Sequence, residues 1–374
     1  MNDRAVSLLE QYEVEVRGTR KGRDAILCDV DEGTLIFKEY GGNTDRLQIQ
    51  DLLLRTIAGK GLVETERLIP TKEGTLFVKD GDGVTYVLKT FREGRECNVR
   101  DPEECVAAVR LLAKLHLCTQ DGLEFEAKGD AATEGESCSP EDVATEGENP
   151  TPGERPTPGE SPAPRYVLPP LISVSDEYEK RNRELRRIRK YLIGRSQKTW
   201  FEISLLGCFD DFYEKALEAS EGWKSYQNPK EEEETRAFCH GDYQYHNVLF
   251  DQRQWFLINF DRCVRDNPVR DLHLLMRKLL EKCNWSIPLG ERLLKEYERI
   301  RPLSARSWID LYYRLAYPEK FWKIANFYYN SGKSWIPEKN MEKLEKLMAR
   351  EQEKKVFLET VFLSFSLQSI WFRK

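Results

Sequence analysis

The chain has 374 residues, a formal net charge of −6 and 33% charged residues, enough length for two domains or one bilobal body with a sizeable core. No apolar run approaches the roughly 20 residues needed to cross a bilayer. The start MNDRAVSLLEQYEVEV also lacks a basic segment followed by an apolar one, so the expectation is a soluble, unexported protein. Its nine cysteines are scattered without a C-x-x-C, which sets aside a disulfide framework and a zinc site in favour of reduced thiols in a cytosol.

Residues 13–40 alternate well enough for strands, with Gly18, Gly22 and Gly33 at turns. Lys38 closes the strand Thr34–Lys38, and a Gly-Gly turn follows. Arg46 to Ala58 carries a helical stripe of Leu47, Leu54, Ile57 and Ala58. Two further strands are expected in 75–91 around Asp80-Gly81-Asp82-Gly83. These elements predict a small β-rich lobe with one helix over residues 1–91. The segment Arg17-Gly18-Thr19-Arg20-Lys21-Gly22-Arg23 is basic and short but is no G-x-G-x-x-G.

After the hinge-like Val87-Leu88-Lys89-Thr90-Phe91 the chain reads as mostly helical through residues 92–374. An insert over 121–164 interrupts it. Between Glu124 and Glu160 stand eleven acidic residues against Lys128 and Arg155, a local balance of −9 that leaves the remainder at about +3. Thr-Glu-Gly-Glu recurs at 133 and 145, and Thr-Pro-Gly-Glu at 151 and 157. So little apolar surface cannot offset the entropy of ordering, so a disordered loop is expected, either a spacer or a tolerated insertion.

Asp176 with Glu179 then reads as a capping box opening a helix to about Ile193, with Tyr178, Leu185, Ile188 and Leu192 as its core stripe. Lys180, Arg181, Arg183, Arg186, Arg187, Arg189 and Lys190 cover its other faces. That cluster is the best argument for an anionic partner, but no aromatic platform interleaves it and a nucleic-acid partner is not expected.

The most informative stretch is FCHGDYQYHNVLF, 238–250, followed by WFLINFDR, 255–262. The short apolar runs Val248–Phe250 and Trp255–Ile258, joined by a polar turn, predict a hairpin that brings Asn247 and Asn259 to one end. Asp242 and Asn247 suit phosphoryl transfer, where one carboxylate accepts a hydroxyl proton while oxygen ligands hold Mg²⁺ on a nucleotide. Asp261, two residues after Asn259, would share its face in a strand. Cys239 and Cys263 flank this stretch as small core residues.

A helix is expected from Asp271 to Leu280, with Leu272, Leu275, Met276 and Leu279 buried and Asp271 as an N-cap or first-turn acid. The aromatics from Trp308 to Tyr329 fit the core of a helical lobe, or an aromatic acceptor wall. The apolar segment 361–372 alternates like a strand over 361–368.

The pattern H-G-D-x-x-x-x-N followed by I-N-F-D resembles the aminoglycoside phosphotransferase and choline kinase branch of the kinase-like fold, whose second element is I-D-F/W-D/E. More narrowly, the chain resembles the CotS family of spore coat proteins. That likeness extends to Leu35–Tyr40, Thr71–Gly74, Gly94–Cys97, Leu112–His116, Pro268–Leu272 and Tyr317–Ile324. It implies an α+β, bilobal protein-kinase-like fold, a small antiparallel β lobe with one helix beside a larger, mainly α-helical lobe. It further implies ATP and Mg²⁺ as cofactors, other spore coat proteins as partners, and synthesis in the cytoplasm of the mother cell before deposition in the coat.

Carried over residue by residue, the resemblance makes Asp242 the catalytic base. Lys38 falls on the phosphates, with Lys89, Thr90 and Phe91 beside the nucleotide, and Asn247, Asn259 and Asp261 on the metal. Asp51 is the only acid the first helix offers Lys38. The departure is Asn259, where the family has an Asp: an amide brings no charge, so the metal is held more weakly. Three readings follow: a coat protein that kept a kinase-like body, an active ATP-dependent phosphotransferase on a small-molecule or coat-protein hydroxyl, and an anion-binding scaffold.

Overall fold

The computed structural model describes residues 3–22, 25–120, 173–226, 236–251, 254–331 and 338–371. The acidic insert lies outside them.

The strands β1 (Gly18–Gly22), β2 (Ala25–Val30) and β3 (Gly33–Glu39) run as an antiparallel meander. A helix α1 (Asp45–Lys60) follows, then the two-residue strands β4 (Glu64–Thr65), β5 (Leu68–Ile69) and β6 (Val78–Lys79), and the long β7 (Thr85–Phe91). β7 lies between β3 and β5, so that Lys38 is opposite Val87 and Ile36 opposite Lys89. Alternation gives each face its own core. Cys28, Leu35, Phe37 and Leu88 pack with Leu9 and Tyr12 on one side, and Leu47, Leu68 and Val87 with Tyr40 on the other. Segment 87–91 is therefore the end of a central strand. Ala58, expected in the stripe of α1, is exposed, and Leu53 is buried instead.

The larger lobe is helical. Asp101 caps α2 (Pro102–Cys118) by accepting from the Glu103 N–H, with Pro102 at a first-turn position where its missing N–H costs nothing. α3 (Val174–Gly194) starts three residues earlier than expected. Ser173, not Asp176, is its cap and accepts from the Ser175 N–H, while Tyr178, Leu185, Ile188 and Leu192 are all buried. α3 packs with α4 (Trp200–Gly207), α5 (Phe209–Ser225) and the later helices α8 (Ala305–Ala316) and α9 (Glu319–Asn330) around Phe209, Phe212, Tyr317, Phe321 and Tyr328. These aromatics are core, with Phe212 and Phe321 stacked at 4.6 Å.

α6 (Val269–Lys282), α7 (Ile287–Ile300), α10 (Glu338–Ala349) and α11 (Glu351–Trp371) complete the described helices. α11 overturns the strand expected over 361–368: the helix begun at Glu351 propagates through that segment, as extending a formed helix costs far less than nucleating one. No described helix is long and apolar enough to cross a membrane. Eight cysteines are described, all as free thiols.

The lobes are joined by a small second sheet. β8 (Arg95–Glu96) pairs with β10 (Val248–Phe250), which pairs with β11 (Trp255–Leu257), which in turn takes β4 in parallel. The 64–66 segment is thereby laid against the strand that leads into Asn259. β9 (Ala237–Cys239) and β12 (Val264–Asp266) form a separate antiparallel pair flanking the loop.

Candidate active site

The loop is set from below by Asp271. This fully buried first-turn acid of α6 accepts the His240 N–H at 2.6 Å and the Gly241 N–H at 3.0 Å. Burial alone would raise its pKa, but His116, at 3.4 Å, and the His240 N–H hold it below the ordinary carboxylate range. Gly241 is required here: its φ is +78°, and a Cβ would stand 1.9 Å from the Arg262 carbonyl oxygen. The loop and the turn after β11 thus touch backbone to backbone.

Above that platform Asp242 accepts from the Gln244 side-chain amide, and its carbonyl oxygen accepts from Asn247 Nδ2 at 2.8 Å. The expected hairpin forms, and it brings Asn247 and Asn259 together. Asn259 Nδ2 donates to Asn247 Oδ1 at 2.8 Å. Asn259 does not continue the strand, because at φ +65° it is left-handed, a conformation Asn tolerates, and a 3₁₀ turn Phe260–Arg262 follows.

Asp261 leaves that turn towards the smaller lobe. Its Oδ2 accepts from Lys38 Nζ at 2.6 Å, and its Oδ1 from Lys89 Nζ at 2.5 Å. Lys38 also reaches Asn259 Oδ1 at 3.4 Å. Lys89, 0% exposed, donates to Glu66 Oε1 at 2.9 Å, and the same oxygen accepts the Phe260 N–H at 3.0 Å. Burial opposes the charge on Lys89, yet Glu66 and Asp261 outweigh it and raise its pKa. Burial likewise opposes the Asp261 carboxylate, and Lys89 and Lys38 more than reverse that, holding its pKa well below the usual range. The partner missing for Lys38 in the first helix is therefore supplied by Asp261. Asp51 instead pairs with Arg55 at 2.8 Å, while Gln50 turns inward and donates to Asp261 Oδ1 at 3.4 Å.

The residues expected beside a nucleotide separate into two groups. Lys38 and Lys89 belong to the ionic cluster. Thr90 and Phe91 line a cavity of about 560 Å³ together with Leu35, Phe256 and Ile258. Its rim carries Glu13, Glu15, Asp31, Glu32 and Glu64 against Arg67 and Arg92, and Glu66 closes the end next to Lys89. Sequence reasoning missed Glu66 and Gln50. A lone acid next to a two-residue strand carries no local signal.

As they stand, these residues do not fit a divalent cation. The oxygen of Asn247 is taken by Asn259, that of Asn259 faces an ammonium, and both oxygens of Asp261 are held by lysines. A hard cation needs open, charged oxygen ligands. Asp242, the acid expected to act as base, is half-buried in the same loop and accepts from the Gln244 side chain.

The model of a family described as "Spore coat putative kinase YutH" matches residues 177–361. Spore coat protein S of Bacillus subtilis is 30% identical over 132 residues, a stretch covering 35% of this chain and 38% of that protein. The chain thus matches well under half the length of this curated relative. Among solved structures, an aminoglycoside phosphotransferase from Alicyclobacillus acidocaldarius superposes with a TM-score of 0.74 at 17% identity, covering 96% of this chain and 95% of that one. Amicoumacin kinase, solved in complex with AMP-PNP, Ca²⁺ and Ami, superposes with a TM-score of 0.58 at 11% identity, covering 95% and 94%. The likeness establishes an α+β, kinase-like fold: an antiparallel β lobe and a helical lobe.

Proposed function

We propose that this chain, a CotS-like protein with a kinase-like fold, binds an adenine nucleotide between its lobes. In this reading it serves in a spore coat with weak or absent phosphotransferase activity. Similarity to spore coat proteins supports the location; synthesis in the mother-cell cytoplasm and other coat proteins as partners belong to the same proposal. The nucleotide-bearing kinases of the same fold support the ligand.

The single observation that carries the reading is the meeting of Lys38 with the Asn259–Asn247 amide pair, in a cluster joined through Lys89 to Glu66, which lines the cavity. A lysine there is a compact cationic donor for phosphate oxygens. The base and ribose fit the cavity beside Thr90 and Phe91, because its acidic rim repels phosphates but accepts amino and hydroxyl donors. The retained Asp242 would accept the proton of an acceptor hydroxyl, while the loss of a carboxylate at Asn259 makes any transfer slow. No divalent ion is needed to hold the nucleotide in this reading, because the loop oxygens already have partners.

Titration calorimetry with ATP tests this, and the wild type should show one saturable site that Lys38→Met weakens by about ten-fold or more. Equal binding by both proteins would remove Lys38 from the phosphates, and no binding would leave only the coat role.

A second reading has its own observation. Lys180, Arg186, Arg187 and Lys190 on α3 are exposed and make no ion pair among the described residues. An acidic coat protein bound there would dissociate in salt.

A further inference from the structure

Lys89 stands where an apolar residue would be expected, between the buried strand residue Leu88 and the cavity-lining Thr90, and its ammonium is sealed from water. Burying an ammonium is unfavourable unless it is fully paired, and Glu66 alone would pair it. Its second bond, to Asp261 Oδ1, is the shorter one, 2.5 Å against 2.9 Å. Two ammonium groups and two carboxylates, Lys38 and Lys89 with Asp261 and Glu66, therefore form a cluster whose charges already cancel. A dication brought to Asp261 would meet two like charges, with Lys89 and Lys38 already bonded to its two oxygens.

We propose that Lys89 is the resident cation of this loop, occupying the carboxylate that a metal would otherwise take, so that the site accepts nucleotide without a divalent ion. The nucleotide half of this statement rests on the function proposed above; the metal-excluding half rests on the cluster alone. Lys38 is left as the mobile member. At 20% side-chain exposure against 1% for Lys89, it can turn from Asp261 to a phosphate while Lys89 keeps Asp261 neutralised. The amide pair needs no rearrangement for this. Asn247 and Asn259 satisfy each other, and neither presents a charge to the incoming polyphosphate.

The test uses Mn²⁺ alone, followed by electron paramagnetic resonance, on wild type, Lys89→Arg and Lys89→Met. Wild type and Lys89→Arg should bind no Mn²⁺ at the loop in the range where Lys89→Met gains one site, at least about ten-fold tighter. That site should vanish in Lys89→Met with Asp261→Asn. If Lys89→Met melts too low to handle, the pair Lys89→Met with Glu66→Gln removes the stranded acid and keeps Asp261. A Mn²⁺ site in wild type that depends on Asp261, or no gain in either Lys89→Met protein, overturns the proposal.

A separate calorimetric arm compares ADP binding in EDTA and in Mg²⁺, where wild-type affinities should agree within about two-fold. Mg²⁺-dependent tightening of ten-fold or more would also overturn it. Absence of ADP binding in both buffers would defeat the nucleotide reading, and the Mn²⁺ arm would still decide the role of Lys89.

Discussion

Asn259 donates its side-chain amide to the amide oxygen of Asn247 across 2.8 Å, closing the loop on itself at the point where the kinase-like pattern calls for a carboxylate and a metal. The rest of the site follows from that bond. A loop that satisfies its own oxygens leaves the charge balance of the cleft to Lys38, Lys89, Asp261 and Glu66.

Replacing Asn259 with Asp removes the donor and adds a charge beside Lys38. The left-handed backbone at this residue tolerates Asp as well as Asn, so the fold should persist. Mg²⁺ should then tighten ADP binding by about ten-fold relative to its effect on wild type. Identical Mg²⁺ titrations for the two proteins would show that position 259 does not face the metal or the phosphates.

Gly241→Ala is expected to disrupt the loop. Both its positive φ and the 1.9 Å approach to the Arg262 carbonyl forbid a methyl group, and backbone must move against backbone. The loss should reach about 3 kcal/mol or more in urea unfolding. A variant within about 0.5 kcal/mol of wild type would mean that the two segments are further apart than described.

Acid should destabilise the protein from about pH 6.5 downward. Burial pushes His273 well below the ordinary imidazole range, and burial also lowers His116. An unfolded chain takes up these protons below its own pKa of about 6.5 while the folded chain resists, so stability is complete above that pH and is lost as pH falls towards the depressed values. Each histidine contributes at most about 1.4 kcal/mol per pH unit in that window. His273→Leu should therefore flatten the decline in unfolding free energy between pH 7 and pH 5.5, and an unchanged slope would contradict the account.

The parts of this structure legible in the sequence are those fixed by short spacing. The stripe of α3, the hairpin that joins Asn247 to Asn259, and the buried acid Asp271 each follow from a few neighbouring residues. The ionic cluster was not legible. Lys89 and Asp261 are 172 positions apart, and they meet where β4 pairs with β11 and Glu66 accepts the Phe260 N–H. A rotation of one residue along α1, about 100° on a helix, separates the expected Asp51 from the observed Gln50. The left-handed turn at Asn259 broke the strand face that Asp261 was expected to share. In the apolar end of the chain, alternation read as a strand was overridden by the helix running into it.

The most direct measurement of the central claim is a crystal structure of the protein grown with AMP-PNP and without divalent ions. The account predicts a base beside Thr90 and Phe91, phosphates on Lys38, and Lys89 still bonded to Asp261 and Glu66. A nucleotide lying outside this cleft, or phosphates that leave Lys38 on Asp261 and contact neither Lys38 nor the loop, would contradict it.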